Sequence, residues 1–75
     1  MKIKANNFKS NEVFKMIREY TGKTQTEFGK DLNRTRTAIQ YYEYGLRNYD
    51  FELLQKICKK YNLEITISSK NKKDN

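Results

Sequence analysis

The side chains that could do chemistry here cluster in one stretch, NRTRTAIQYYEYG, at positions 33–45. Arginines, threonines and a glutamine come first, and tyrosines, a glutamate and a glycine close the stretch. Such residues read polar edges and anions by hydrogen bonding and charge; they do not by themselves make or break covalent bonds. Elsewhere the means of catalysis are missing. The chain has no histidine, one cysteine, no cluster of carboxylates and no glycine-rich phosphate loop. The commonest acid–base group and zinc partner, histidine, is therefore missing, and the chain offers little for catalysis. The sequence predicts that this protein is not an enzyme and uses no metal, no cofactor and no small-molecule ligand.

Charge narrows the partner class. Sixteen lysines and arginines against nine aspartates and glutamates give the 75 residues a net charge of +7. That excess favours a polyanion, and nucleic acid is the commonest one. No apolar run approaches a membrane span and no signal-peptide core follows Met1, so a cytoplasmic location and no membrane partner are expected. A chain this short is one domain with one modest core, for which oligomerisation is a common remedy. Cys58 has no second cysteine to pair with and reads as a small core residue.

The polar stretch needs elements to hold it, and the spacing predicts four helices. Val13, Phe14, Ile17 and Tyr20 recur at helical intervals before Gly22, giving a first helix from about 11 to 21 with Ser10 or Asn11 as its cap. Thr24 and Glu27 form a capping box for a second helix, whose buried face carries Phe28 and Leu32. Gly29 is a poor helix former on that face, so close approach of a neighbouring helix is expected there. Asn33 can take the left-handed angles of a tight turn, and Thr35 can cap a third helix with Ala38, Ile39 and Tyr42 inward. Gly45 closes it. Asp50 caps a fourth helix with an inner stripe of Phe51, Leu54, Ile57, Cys58 and Tyr61, and Asn62 ends it.

The periodicity then changes to two. LEITISS alternates Leu63, Ile65 and Ile67 against Glu64, Thr66 and Ser68, and MKIKA alternates Met1, Ile3 and Ala5 against Lys2 and Lys4. A lone strand cannot satisfy its backbone, so the C-terminal one pairs either with the N-terminal segment or with a second chain. The expected organisation is an N-terminal extension or short strand at 1–10, a helical domain at 11–62, a strand at 63–68 and a disordered tail at 69–75.

Two short helices joined by a tight turn, within a basic helical domain, suggest a helix-turn-helix. The stretch TQTEFGKDLNRTRTAIQYYEYG resembles the phage repressor and Cro-like (XRE) family. Thr24, Gln25, Glu27, Leu32, Ile39, Tyr42, Glu43 and Gly45 match that family's pattern in register, and the likeness covers about residues 11 to 63. Phe28 replaces the usual leucine and Gly29 the usual alanine. Asn33 stands where glycine is common, Arg34 where an apolar residue plugs the turn, and Lys23 where leucine is usual; the last two loosen the core locally. The fold implied is mostly α, a lambda-repressor-like helix-turn-helix domain of four to five short helices with a C-terminal β-strand.

The resemblance also implies roles. Arg36, Thr37, Gln40 and Tyr41 occupy the positions that face base edges; Arg36 could bond bidentately to guanine and Gln40 to adenine, each pair discriminating by about 1–3 kcal/mol. Thr24, Gln25, Arg34, Thr35, Arg47 and Asn48 occupy positions suited to phosphate contact, which supplies affinity and register rather than sequence choice. Arg18 and Glu43 match a structural ion pair between the first and third helices. Leu63, Ile65 and Ile67 fall to a dimer interface if the strand pairs across chains. The leading expectation is a sequence-specific transcriptional regulator, a repressor, binding an inverted repeat in double-stranded DNA as a homodimer. The alternative is a DNA-binding antitoxin, HipB-like, that also restrains a toxin protein such as a HipA-type kinase. A domain that has kept the fold and lost DNA binding would not need arginines at 34, 36 and 47.

Overall fold

The computed structural model describes residues 2–4 and 8–66. In chain order the elements are β1 (Lys2–Lys4), α1 (Ser10–Thr21), α2 (Gln25–Leu32), α3 (Arg36–Tyr44), α4 (Phe51–Tyr61) and β2 (Glu64–Thr66). Local chemistry sets most of these boundaries. The Thr24 hydroxyl accepts the Glu27 N–H at 3.1 Å while the Glu27 carboxylate accepts the Thr24 N–H at 2.9 Å, a reciprocal cap. Thr35 accepts from the Ala38 N–H at 3.1 Å, and Asp50 from the Leu53 N–H at 2.8 Å. At the C-terminal ends, Gly22, Asn33, Gly45 and Asn62 all take positive φ, the left-handed turn that ends a helix.

One cap differs from expectation. The N-cap of α1 is Lys9, one residue before Ser10. Lysine has no acceptor to offer, so the box is half made: Glu12 reaches back and accepts the Lys9 N–H at 2.8 Å.

Each helix sends residues to one core: Val13, Phe14 and Ile17 from α1, Phe28 and Leu32 from α2, Ala38, Ile39 and Tyr42 from α3, Leu53 and Ile57 from α4. Aromatic rings dominate its centre. Phe14 meets Phe28 edge-on with centroids 5.6 Å apart, and lies 5.2 Å from Tyr42 and 4.9 Å from Tyr49. Such pairs add about 0.5–1.5 kcal/mol beyond the area they bury.

Two expected core residues lie outside it. Tyr20, in the last turn of α1, is 57% exposed, and Phe51, the first residue of α4, is 66% exposed. On α4 the deep positions are Leu53 and Ile57, with Tyr61 half-buried behind them at the same four-residue interval. Phe51, Leu54 and Cys58 occupy a neighbouring stripe that faces the β2 side instead. Cys58 is accordingly half-buried rather than central.

The strand question is answered within the chain. β2 pairs with β1 in parallel, with Lys2 opposite Glu64, Ile3 opposite Ile65 and Lys4 opposite Thr66. Parallel strands need a long crossover, and the four helices supply it. Leu63 and Ile65 pack half-buried against the core. Met1, Ala5, Ile67, Ser68 and the segment 69–75 lie outside the described residues.

Gly29 has a steric reason to be glycine. A Cβ there would lie 2.7 Å from the Arg34 carbonyl oxygen and 3.4 Å from Ile39 Cγ1. The close approach is first to the backbone of the α2–α3 turn and then to α3 itself. Among the described residues, no helix is long and apolar enough to cross a membrane.

Candidate nucleic-acid interface

Helix α3 divides lengthwise into two faces. Ala38, Ile39, Tyr42 and Glu43 are buried, whereas Arg36 and Thr37 are exposed, Gln40 is half-buried and Tyr41 is 37% exposed. Both sets follow an i, i+1, i+4, i+5 pattern, so each forms one stripe and the two stripes back onto each other. The outer stripe presents a guanidinium fork, a hydroxyl, a carboxamide and a phenol from one rigid element. Among the described residues Arg34, Arg36 and Arg47 have no carboxylate partner, and Arg36 on the stripe and Arg47 beside Tyr41 give this face uncompensated positive charge.

What holds α3 in place is a buried charge. The Glu43 side chain is 1% exposed and faces Arg18 of α1, whose Nε donates to Oε2 at 2.5 Å and whose Nη2 donates to Oε1 at 3.2 Å. Donation to Glu43 raises the already high pKa of Arg18. The remaining nitrogen of the fork, Nη1, donates to the Lys23 carbonyl at 3.0 Å, tying in the α1–α2 turn. A third donor reaches the same carboxylate: Gln25 Nε2 bonds Glu43 Oε1 at 3.1 Å. One buried carboxylate thus joins α1, the first residue of α2 and the end of α3. Asn11 adds a bond from its Nδ2 to the Glu43 carbonyl at 3.2 Å.

This arrangement bears on the residues assigned to phosphate. Gln25 commits one amide proton to Glu43 and keeps its second proton and its carbonyl oxygen. It sits at the N-terminus of α2, where unpaired N–H groups and the helix dipole favour an anion. Thr24 and Thr35 are exposed, but each hydroxyl is engaged as a helix cap. Arg34, in the α2–α3 turn, folds back on the end of α2: Nη1 lies 3.4 Å from the carbonyls of Leu32 and Asn33, favourable at the negative end of α2. Asn48 is exposed on the loop after Gly45. Arg47, on the same loop, lies with its guanidinium carbon 5.3 Å from the centre of the Tyr41 ring.

Three supports escaped the sequence reading. Tyr49 anchors the far end of the 46–48 loop: its ring packs on Phe14 and Tyr42, and its hydroxyl donates to the Ser10 carbonyl at 2.6 Å. Burial pushes its hydroxyl pKa up. Tyr61 stacks on Phe28 and donates to Asp31 Oδ2 at 2.5 Å, pinning α4 to α2. Lys23, 3.2 Å from the same oxygen, completes that cluster, so it is an ion-pair partner rather than a defect in the core. The bond from Tyr61, followed by the one from Lys23, holds the Asp31 carboxyl below its ordinary range. Asn11 is the third. The only sequence signal for Tyr49 was an aromatic residue just past a polar loop; the other two contacts join distant parts of the chain.

Neither a curated protein nor a solved structure matches the chain. A family model described as helix-turn-helix does match, over residues 14–67, from the middle of α1 to just past β2. That match spans well over half of the chain and includes both helices of the motif and the turn between them. With α2 capped at Thr24, the turn closed by Asn33 and α3 presenting a polar outer stripe, the chain belongs to the Cro/C1-type helix-turn-helix (XRE) family of DNA-binding transcription regulators.

Proposed function

We propose that this protein is a sequence-specific repressor that binds an inverted repeat in double-stranded DNA as a homodimer. The observation that carries this reading is the division of α3 into a buried stripe and an outer stripe of Arg36, Thr37, Gln40 and Tyr41. A helix of this kind fits the major groove by its N-terminal half, where base pairs present distinct donor and acceptor patterns. Arg36 stands at the first position of α3, exposed and, among the described residues, without a carboxylate to compete for it. It is the residue suited to the N7 and O6 of guanine, with Gln40 one turn later suited to adenine. Gln25 at the start of α2, with Thr24, Thr35, Arg34, Arg47 and Asn48, would bracket the reading stripe with phosphate contacts. Repression follows from occupying a promoter, which needs no further part.

A homodimer is favoured by the groove between α4 and β2. It has a volume of about 1100 Å³, and Phe51, Leu54, Cys58, Leu63 and Ile65 give it an apolar floor. Glu52 and Glu64 on its rim balance Lys56 and Lys59. On a chain of net charge +7, this face is close to neutral. A second copy, equally cationic, is repelled by the rest of the surface and can approach here. Mixed charges around an apolar centre also suit a two-fold contact, in which each residue meets its counterpart's neighbour. Leu63 and Ile65 contribute what their own core leaves uncovered, and Phe51 contributes most of its ring. The antitoxin alternative rests on a strand that pairs across two chains; β2 pairs with β1 of its own chain, which favours the simpler repressor.

The test is to present a randomised DNA pool to the protein and sequence what it retains, alongside sedimentation of the free protein and its Phe51→Lys variant. An enriched inverted repeat, with a wild-type dimer that the variant dissociates, is the expected result. Binding that fades with salt and enriches no sequence would overturn the specific reading, and a monomer on an asymmetric site would overturn the dimer.

A further inference from the structure

Arg47 is held over the Tyr41 ring by both its backbone and its side chain. Gly45, at φ +78°, turns the chain back on α3. The N–H groups of Leu46 and Arg47 then both donate to the Tyr41 carbonyl, at 2.9 and 3.3 Å. From that fixed point the Arg47 side chain lies against the Tyr41 ring, within the distance at which a cation is attracted to an aromatic face. Tyr49, bonded to Ser10, fixes the other end of the loop. A cation held over a ring face uses none of its N–H donors in that contact, so the guanidinium keeps them for a phosphate.

We infer that Tyr41 acts through Arg47: its ring is a platform that aims the guanidinium at a DNA phosphate, so Tyr41 is a positioning residue and not a base reader. The inference rests on the DNA-binding reading above and reassigns one residue of its outer stripe. Its consequence is mechanical. The helix that reads bases and the loop that grips the backbone become one unit, so a phosphate bound by Arg47 strengthens the hold on the duplex without changing which bases Arg36 and Gln40 prefer. Without the ring, the long Arg47 side chain would sample many rotamers and lose part of its contribution in ordering them.

The test compares Tyr41→Phe, Tyr41→Leu, Arg47→Ala and the double variant Tyr41→Leu/Arg47→Ala. Phosphate contact is independent of sequence, so the probe is a random-sequence duplex of about two helical turns. Arg47→Ala should weaken binding and reduce the log–log salt slope by about 0.9, the value of one phosphate. Tyr41→Phe keeps the platform and should bind as the wild type does. Tyr41→Leu should weaken binding by about 2- to 5-fold, and in the double variant it should add nothing to the loss from Arg47→Ala. Sequence preferences in a retained pool should be the same for Tyr41→Leu as for the wild type.

A second readout needs no DNA. The Arg47 side-chain protons of the free protein should show an upfield ring-current shift that survives Tyr41→Phe and disappears in Tyr41→Leu. Losses that multiply in the double variant, or a Tyr41→Phe variant as impaired as Tyr41→Leu, would overturn the inference while leaving the DNA-binding reading intact. A wild-type protein that does not bind the duplex at all would overturn both, and the ring-current shift would then describe the fold alone.

Discussion

Replacing Arg18 with methionine should unfold much of this protein's stability margin. The change keeps an unbranched apolar stem and removes the charge. It leaves the Glu43 carboxylate, 1% exposed, with Gln25 as its remaining side-chain donor, and it also strips the Lys23 carbonyl of its bond from Nη1. Removing one partner of a buried pair costs about 3–5 kcal/mol, because the other charge stays desolvated. For 75 residues, total stability on the order of 4–11 kcal/mol is expected, so the loss is a large share of the whole. With a urea slope of about 1 kcal/mol/M for so small a domain, the midpoint should fall by about 3–5 M, followed by helical circular dichroism. The double variant Arg18→Met/Glu43→Leu should recover most of that loss, since an apolar pair of similar volume can match a buried ion pair. A midpoint shift below about 1 M in the single variant, or no recovery in the double one, would refute the view that the buried carboxylate holds α3 to α1.

Gly29→Ala gains helix propensity of about 1 kcal/mol but forces a Cβ to 2.7 Å from the Arg34 carbonyl. Overpacking of this kind costs about 1–3 kcal/mol, so calorimetry should show a lower Tm. Asn33→Ala places a Cβ residue without a helpful side chain at φ 58°; it should cost about 1 kcal/mol in the same assay, whereas Asn33→Gly should cost little. The acid limb of stability should depend on Asp31 and Glu27. Both carboxyls are held low, Asp31 chiefly by Tyr61 and then Lys23, and Glu27 by the Thr24 backbone and hydroxyl. Their stabilisation is therefore present above the unfolded carboxylate pKa of about 4 and is lost as pH falls through the lower folded values. Thermal unfolding between neutral and strongly acid pH should show a shallower acid decline for Asp31→Asn, and proton NMR should find the Asp31 pKa higher in Tyr61→Phe.

The helix ends were legible because each obeys a local rule. Thr24 with Glu27, Asn33, Gly45, Asp50 and Asn62 announce their turns within a few residues of sequence, and each is where its chemistry requires. Lys9 escaped because a cap is sought by its acceptor, and here the acceptor is three residues on, at Glu12. On α4, the stripes through Phe51–Leu54–Cys58 and through Leu53–Ile57–Tyr61 both have helical spacing. Periodicity alone cannot choose between them, because one faces the core and the other the groove beside β2. Contacts between distant parts of the chain were the least visible. The Tyr61–Asp31 and Tyr49–Ser10 bonds span 30 and 39 positions, and no spacing signals them. Arg18 and Glu43, 25 positions apart, could be paired only through the resemblance. The outer stripe of α3 was legible for the opposite reason: burial of Ile39 and Tyr42 dictates which side chains are left outside.

The proposed reading of bases by α3 through Arg36 is best measured by the base-preference profile of Arg36→Ala beside that of the wild type. Both proteins would be presented with the same randomised pool at one salt concentration, and the retained DNA sequenced. Preference for guanine should disappear at one position in each half-site, with the other positions unchanged. Affinity for the preferred site should fall by about 1–3 kcal/mol, roughly 5- to 150-fold. An even loss across all sequences, or a profile identical to the wild type, would contradict it, since Arg36 would then be gripping the backbone or touching nothing.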